Sequence, residues 1–258
     1  MFLDQIVASV DRRISQLKPH RASLASQLAD APRPRSLRTT LLDGSARRTM
    51  GVIAECKHRS PSKGWLTDTY DPVGLAKQYE QFGASGISVL TEPEFFAGSL
   101  GHLQAVRQAV SLPVLRKDFV RDEVQIIEAR AAGADAILLI VRIFDDLRHL
   151  KTLRDVARDI GLEVLVEIHN LSELEWALAV EPDILGVNNR DLDTFETRLE
   201  FSRTISPLLP ESILKISESG LRTLSDVAAV RQMGYQGILV GESLVRGGGL
   251  LKEMQQWG

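Results

Sequence analysis

The stretch Leu112-Pro113-Val114-Leu115-Arg116-Lys117-Asp118-Phe119 passes abruptly from apolar to charged. A parallel strand covered on both faces reads as a near-continuous apolar run, and Val114-Leu115 begins one. A lysine that ends such a run stands at the carboxyl end of a strand, where open α/β sheets and closed barrels keep their chemistry. Taken alone, Lys117 reads more readily as the first solvated residue of a loop. Recurrence decides, because the same transition is repeated along the chain.

Apolar runs predict strands over 51–54, 87–90, 114–115, 136–141, 164–166, 184–187, 213–216 and 237–240. Helical segments lie between them. Asp71-Pro72 supplies an N-cap followed by proline at the first helical position. The segment 123–132 places Val124, Ile127 and Ala131 on one face, with Gly133 as its C-cap. Helices over 147–160 and 225–233 stop at Gly161 and Gly234. Ser172 stands three residues before Glu175, the capping-box spacing, and predicts a helix over 172–179. Eight strand–helix units in 258 residues argue for the α/β class and a closed (β/α)8 TIM barrel. The competitor is a doubly wound sheet, but no Gly-x-Gly-x-x-Gly turn follows the first strand.

Ahead of the first strand, Phe2, Leu3, Ile6, Val7, Val10 and Ile14 recur at helical spacing, and Pro19 ends the pattern. A second helical piece is expected near 22–28, and Ala31-Pro32-Arg33-Pro34-Arg35 reads as a linker. Residues 1–48 are therefore expected to form an N-terminal helical extension packed on a single barrel domain of residues 49–258. The reading favours a cap closing one end of the core over an interaction module.

Composition excludes several classes. A net charge of −3 gives no basic surface for nucleic acid, so an anionic ligand must be met by a local site. One cysteine allows neither an internal disulfide nor a multi-cysteine zinc site. No apolar run approaches the roughly 18 residues that span a bilayer, and the first residues lack a signal-peptide pattern. A cytoplasmic enzyme with no membrane or nucleic-acid partner is expected.

The residues that end the runs converge on one rim: Glu55 and Lys57, Glu92, Lys117, Arg142, Glu167 and His169, Asn188 and Arg190, Glu218, and Glu242. A purely structural barrel needs no such gathering of charge. Side chains two apart on a strand share a face, so Glu55 and Lys57 point together and Cys56 points toward the helices as a small buried residue. His169 reads as a solvated rim histidine. After the seventh and eighth strands, Ser219-Gly220 and Gly241-Glu242-Ser243 let backbone N–H groups approach an anion, the usual phosphate position in barrels. At Glu242 the main-chain N–H is the expected contributor, with the carboxylate turned away. The loop Arg59-Ser60-Pro61-Ser62-Lys63-Gly64 is basic and hydroxyl-rich, suited to a lid over an anionic substrate.

Taken together, these stretches resemble the indole-3-glycerol phosphate synthase family. The resemblance rests on Ile53-Ala54-Glu55-Cys56-Lys57 with Ser60-Pro61-Ser62-Lys63-Gly64, Ser88-Val89-Leu90-Thr91, Phe95-Phe96-Ala97-Gly98-Ser99, and Leu115-Arg116-Lys117-Asp118-Phe119. It continues through Glu128–Asp135, Leu165-Val166-Glu167, Gly186-Val187-Asn188-Asn189-Arg190-Asp191-Leu192, Ser217-Glu218-Ser219-Gly220 and Val240-Gly241-Glu242-Ser243-Leu244, in order over residues 48–246.

The resemblance implies closure, decarboxylation and dehydration of 1-(2-carboxyphenylamino)-1-deoxyribulose 5-phosphate, with no metal or organic cofactor. It implies Lys117 as general acid and Glu167 as its acid–base partner. Glu55 and Lys57 match a catalytic pair, with Lys57 also in reach of the phosphate. Asn188 matches a holder of substrate hydroxyls, Glu218 an active-site acid, and Arg190 a residue at the anthranilate end. Ser60 and Leu192 match substrate contacts, Phe96 and Phe119 aromatic walls, and Ser219, Gly220, Gly241 and Glu242 the phosphate site. A monomer acting on a small phosphorylated molecule is expected. The alternatives are phosphoribosylanthranilate isomerase, whose strand-1 cysteine Cys56 brings to mind, and a catalytically silent barrel that binds a phosphorylated ligand. Cys56 is out of phase with Glu55 and Lys57, and the isomerase has no need of Lys117 and Glu167.

Overall fold

The computed structural model describes residues 2–48, 50–192, 194–245 and 249–256. Its centre is a ring of parallel strands: β1 (Gly51–Cys56), β2 (Gly86–Leu90), β3 (Val114–Lys117), β4 (Ala136–Ile140), β5 (Glu163–Ile168), β6 (Ile184–Asn188), β7 (Lys215–Glu218) and β8 (Gly237–Val240). Each pairs with its chain neighbours, and β8 closes the ring onto β1 through Gly51 opposite Gly237. The chain is thus a (β/α)8 barrel. The strands are buried on both faces because helices cover them outside and their own side chains fill the inside.

The helices are α1 (Phe2–Leu17), α2 (Arg21–Ser26), α3 (Leu37–Arg48), α4 (Pro72–Gln81), α5 (Pro93–Phe96), α6 (Leu100–Ala109) and α7 (Glu123–Ala131). They continue with α8 (Leu147–Asp159), α9 (Leu174–Ala179), α10 (Glu200–Ile205), α11 (Leu224–Gln232), α12 (Glu242–Val245) and α13 (Leu250–Gln255). Asp71 caps α4 by accepting the Gly74 N–H at 2.9 Å, and left-handed Gly133, Gly161 and Gly234 follow α7, α8 and α11. The glycine-rich tail that left the last helix's start open falls partly on residues 246–248, outside the described residues.

Three local expectations are corrected. Strands β1, β3, β5, β6 and β7 run further than their apolar runs, so Glu55, Lys117, Glu167, Asn188 and Glu218 are ladder residues, while β4 stops at Ile140, one residue short of its run. The seventh strand begins at Lys215, not Ile213, because Ile213 donates to the Pro210 carbonyl at 3.2 Å and is held in a turn. The Ser172–Glu175 capping box does not form. Ser172 instead donates to Asn170 Oδ1 at 2.5 Å, residues 171–173 make a single tight turn, and α9 starts at Leu174.

The N-terminal segment touches both ends of the barrel. Its helix α3 escapes periodicity analysis because only Leu37 and Leu41, one turn apart, are its fully buried apolar anchors. It presses the floor closely: a Cβ at Gly44 would lie 3.1 Å from the Gly51 Cα, and one at Gly86 2.4 Å from Leu37 Cδ1. At the other end α1 lies beside the rim. Arg13 reaches buried Asp118 at 3.0 Å and Glu92 at 3.8 Å, and Phe2 packs edge-on against Phe95 and Phe195.

Candidate active site

The carboxyl ends of the strands open into a cavity of about 460 Å³. Every residue that the resemblance marks for the site lines it: Glu55, Lys57, Ser60, Phe96, Lys117, Phe119, Glu167, Asn188, Arg190, Leu192, Glu218, Ser219, Gly220, Gly241 and Glu242, whereas the rim residues Glu92, Arg142 and His169 do not. The ladder explains why. Inward residues alternate, and neighbouring strands set Glu55 beside Ser88, Lys117 beside Leu90, Glu167 beside Gly186, and Asn188 beside Glu218.

Lys117 occupies the middle of the charged cluster. Its Nζ lies 3.3 Å from Glu167 Oε2 and 3.9 Å from Glu218 Oε2. Lys57 Nζ lies 2.6 Å from Glu55 Oε1. Burial alone would strip Lys117 of its proton, but the carboxyls of Glu167, Glu218 and Glu55 outweigh it and hold its pKa above the ordinary lysine value. Burial would likewise raise Glu55 and Glu167. Lys57 and Lys117 overcome it at Glu55, and Lys117 with His169 at Glu167, so both carboxyls are held below their ordinary range.

Glu218 goes the other way. Burial and the neighbouring charge of Glu167 push it well above the carboxylate range, and Lys117 does not compensate. Two adjacent carboxyls are therefore pushed in opposite directions, one toward the role of proton acceptor and the other toward that of donor.

The opposite wall is apolar. Phe96 and Phe119 stand with ring centroids 6.1 Å apart, and Leu90, Leu138, Ile140 and Leu192 extend the surface toward the barrel axis. The third region is formed by the turns after β7 and β8. Ser219 and Gly220 both have positive φ, 66° and 81°, a conformation that glycine tolerates and serine seldom adopts. Gly241 lies so near β1 that a Cβ there would fall 2.5 Å from Glu55 Oε1. Both turns thus present bare backbone to the cavity, next to the start of α12. The Glu242 carboxylate crosses toward Arg190, 3.2 Å from its Nη2, while Arg190 Nη1 donates to Ser62 Oγ at 3.1 Å. Arg190 in this way ties the loop after β1 to the turn after β8.

Cys56 is absent from the cavity. It is fully buried, burial and nearby Glu55 push its thiol up, and its Sγ points to the Pro72 carbonyl. His169 is a correction: its side chain is enclosed rather than solvated, with Nε2 3.0 Å from Glu167 Oε1.

Sequence reasoning missed two further residues. Phe195 lines the cavity from an aperiodic loop, at φ 59°. Gly186 is placed two residues before Asn188, on the same inward face, and a Cβ there would lie 2.2 Å from Glu218 Oε1. That two-residue spacing was the available signal. Among the described residues, no group of three or more His, Cys, Asp or Glu side chains is arranged to hold a metal ion, and no helix is long and apolar enough to cross a membrane.

Comparison with known proteins adds an independent line. Residues 3–256 match the family model described as indole-3-glycerol phosphate synthase. A protein of that name from Carboxydothermus hydrogenoformans is 44% identical over 252 residues, covering 95% of each chain. Its namesake from Desulfotalea psychrophila is 44% identical over 249 residues, covering 95% of this chain and 94% of its own. One from Roseiflexus is 45% identical over 245 residues, covering 92% and 90%.

Proposed function

From the premise that this chain belongs to the indole-3-glycerol phosphate synthase family, we propose that its cavity closes the indole ring of 1-(2-carboxyphenylamino)-1-deoxyribulose 5-phosphate and acts as a carboxy-lyase. The observation that carries this reading is Lys117 Nζ set 3.3 Å from Glu167 and 3.9 Å from Glu218, two carboxyls that their surroundings push in opposite directions.

In the first step the aromatic carbon that bears the carboxylate attacks the ribulose carbonyl. Negative charge grows on the carbonyl oxygen, and Lys117 delivers the proton. A developing alkoxide is more basic than an amine, so the transfer is downhill even for a lysine that holds its proton tightly. The attacking ring becomes cationic, and loss of carbon dioxide restores its aromaticity. The last step removes a proton from the methylene next to nitrogen and expels the new hydroxyl as water. Glu167 is suited to accept the proton, and Lys117, reprotonated, or Glu218 to donate one to the hydroxyl. Such acid–base groups each contribute about 10²–10⁴-fold.

The remaining residues bind and orient. The bare turns at Ser219-Gly220 and Gly241-Glu242, with Lys57 nearby, suit the phosphate. The Phe96 and Phe119 wall with Leu192 suits the anthranilate ring. Arg190 suits its carboxylate, because a guanidinium matches a carboxylate fork. Asn188 faces the ribulose hydroxyls, and Ser60 belongs to the covering loop. A single chain carries every residue named, which supports a monomer.

The test is the rise of indole fluorescence when purified protein meets the substrate. Enzyme-dependent formation of indole-3-glycerol phosphate is expected. Binding of substrate without turnover would replace this reading with that of a silent barrel.

A further inference from the structure

The enclosure of His169 raises a question that the reaction itself does not answer. Its imidazole lies outside the cavity, on the far side of Glu167 from Lys117, and is fully shielded from solvent. Nε2 is 3.0 Å from Glu167 Oε1, and Nδ1 is 3.8 Å from Glu173 Oε2. Glu173 is itself held in place. Its Oε2 accepts the His169 main-chain N–H at 2.8 Å, and its Oε1 accepts from Asn170 Nδ2 at 2.5 Å. The tight turn at Leu171–Glu173, which displaces the expected capping box, is what brings this carboxylate under the ring. A histidine that merely filled space would gain nothing from a carboxylate on each side, since burying charged groups is costly unless they are paired.

We propose that His169 is a positioning residue for the reaction: wedged between Glu167 and Glu173, its imidazolium fixes the Glu167 carboxylate toward Lys117 and keeps it ionised. This rests on the reading of Glu167 as the proton acceptor. The other charged groups bearing on the pair are Lys117 on β3, Glu218 on β7 and Glu55 on β1. The proton balance agrees with the geometry. Burial works against the imidazolium, but Glu167 and Glu173 outweigh it and raise the His169 pKa, so the ring is the cation that a buried carboxylate requires. With cations on both of its sides Glu167 is pushed toward its ionised form, and Glu218, which has only Lys117, is pushed the other way.

The test uses the whole chain in three variants, His169→Ala, His169→Gln and Glu173→Gln, with kcat and KM measured from the lowest pH at which each stays folded, below the ordinary carboxylate range, up to pH 9. Loss of the cation weakens the hold on the ionised form of Glu167. The acid limb of kcat should therefore move up by about one pH unit in His169→Ala, a tenfold change in proton affinity. KM should stay within about twofold, because His169 does not touch substrate. His169→Gln keeps a donor without the charge and should recover most of kcat at neutral pH while its acid limb stays raised. Glu173→Gln should move the limb in the same direction by less, and it serves if His169→Ala does not fold.

A folded variant with the wild-type pH profile would overturn the proposal. So would a uniform fall in kcat at every pH accompanied by a lower melting temperature, which is the mark of a structural role. If the wild-type protein itself made no indole, the functional reading would have failed and not this one.

Discussion

Gly186→Ala should slow turnover by about a hundredfold while leaving KM near its wild-type value. The added methyl would fall 2.2 Å from Glu218 Oε1 and 3.2 Å from Leu165 Cδ1. Comfortable contact needs about 3.5 Å, so the Glu218 carboxyl must retreat by roughly 1 Å. It cannot easily do so, because it is enclosed and bound into the Lys117 and Glu167 cluster. A displacement of that size near reacting groups costs about 10²-fold in rate. The strain of overpacking should cost about 1–3 kcal/mol of stability, small enough for the variant to fold. The assay is the fluorescence progress curve together with a thermal melt. A double substitution sharpens it. Glu218→Ala removes the group that the methyl strikes, so Gly186→Ala should add little further loss in that background. Wild-type kcat in folded Gly186→Ala, or full additivity in the double variant, would refute the idea that the missing Cβ makes room for Glu218.

Other substitutions separate chemistry from stability. Lys117→Ala should abolish measurable turnover, a loss of at least about 10²–10⁴-fold for a general acid, with the melting curve of a folded barrel; near-normal turnover would remove Lys117 from the mechanism. Glu167→Gln should melt well below wild type at pH 7, by about 3–5 kcal/mol, because it strands the buried Lys117 and His169 cations. The depressed pKa of Glu167 means that its contribution is present above the unfolded carboxylate value and fades as pH falls through the folded one. Glu218 has the opposite sign: its folded pKa is raised, so wild-type stability should decline as pH rises from the unfolded value toward the folded one. Glu218→Gln should therefore lose activity yet melt no lower than wild type at pH 7, and a lower melt there would contradict the sign. Leu41→Ala, at a fully buried floor position, should cost about 2–5 kcal/mol by urea titration without changing KM.

The barrel is legible in the sequence because a strand covered on both faces must be apolar throughout, and eight such runs leave little choice of topology. The same rule cuts the strands short. Glu55, Lys117, Glu167, Asn188 and Glu218 interrupt the apolar pattern and yet occupy ladder positions: Lys117, Glu167 and Glu218 compensate one another across strands, Glu55 is paired with Lys57 just beyond its own strand, and Asn188 accepts the Arg190 main-chain N–H. Alternation placed Cys56 correctly because it depends only on the two-residue period of a strand.

Properties that depend on three-dimensional neighbours escaped. Gly186 has meaning only beside Glu218, which lies 32 positions further along the chain. His169 read as a rim histidine because the turn that tucks Glu173 beneath it carried a stronger, and misleading, capping-box spacing. Glu242 was expected to turn its carboxylate away, and the group it pairs with, Arg190, follows another strand and could not be named from the sequence.

The position of Leu41 bears on how long the molecule stays folded. A Cβ at Gly51 would fall 2.5 Å from the Leu41 carbonyl oxygen, and one at Gly237 would fall 3.2 Å from Leu41 Cδ2, so α3 lies across the seam where β8 meets β1. Closing that seam joins segments separated by most of the chain, the kind of pairing that forms slowly because the intervening loop must be ordered first. The hold of α3 on β1 and β2 is local in sequence, but the Leu41 contact at Gly237 can form only as the seam shuts and is among the last to be made. Contacts made after the barrier govern the rate of unfolding rather than the rate of folding. Leu41→Ala is therefore expected to speed unfolding more than it slows folding, a kinetic role for a helix at the end of the barrel remote from the catalytic groups.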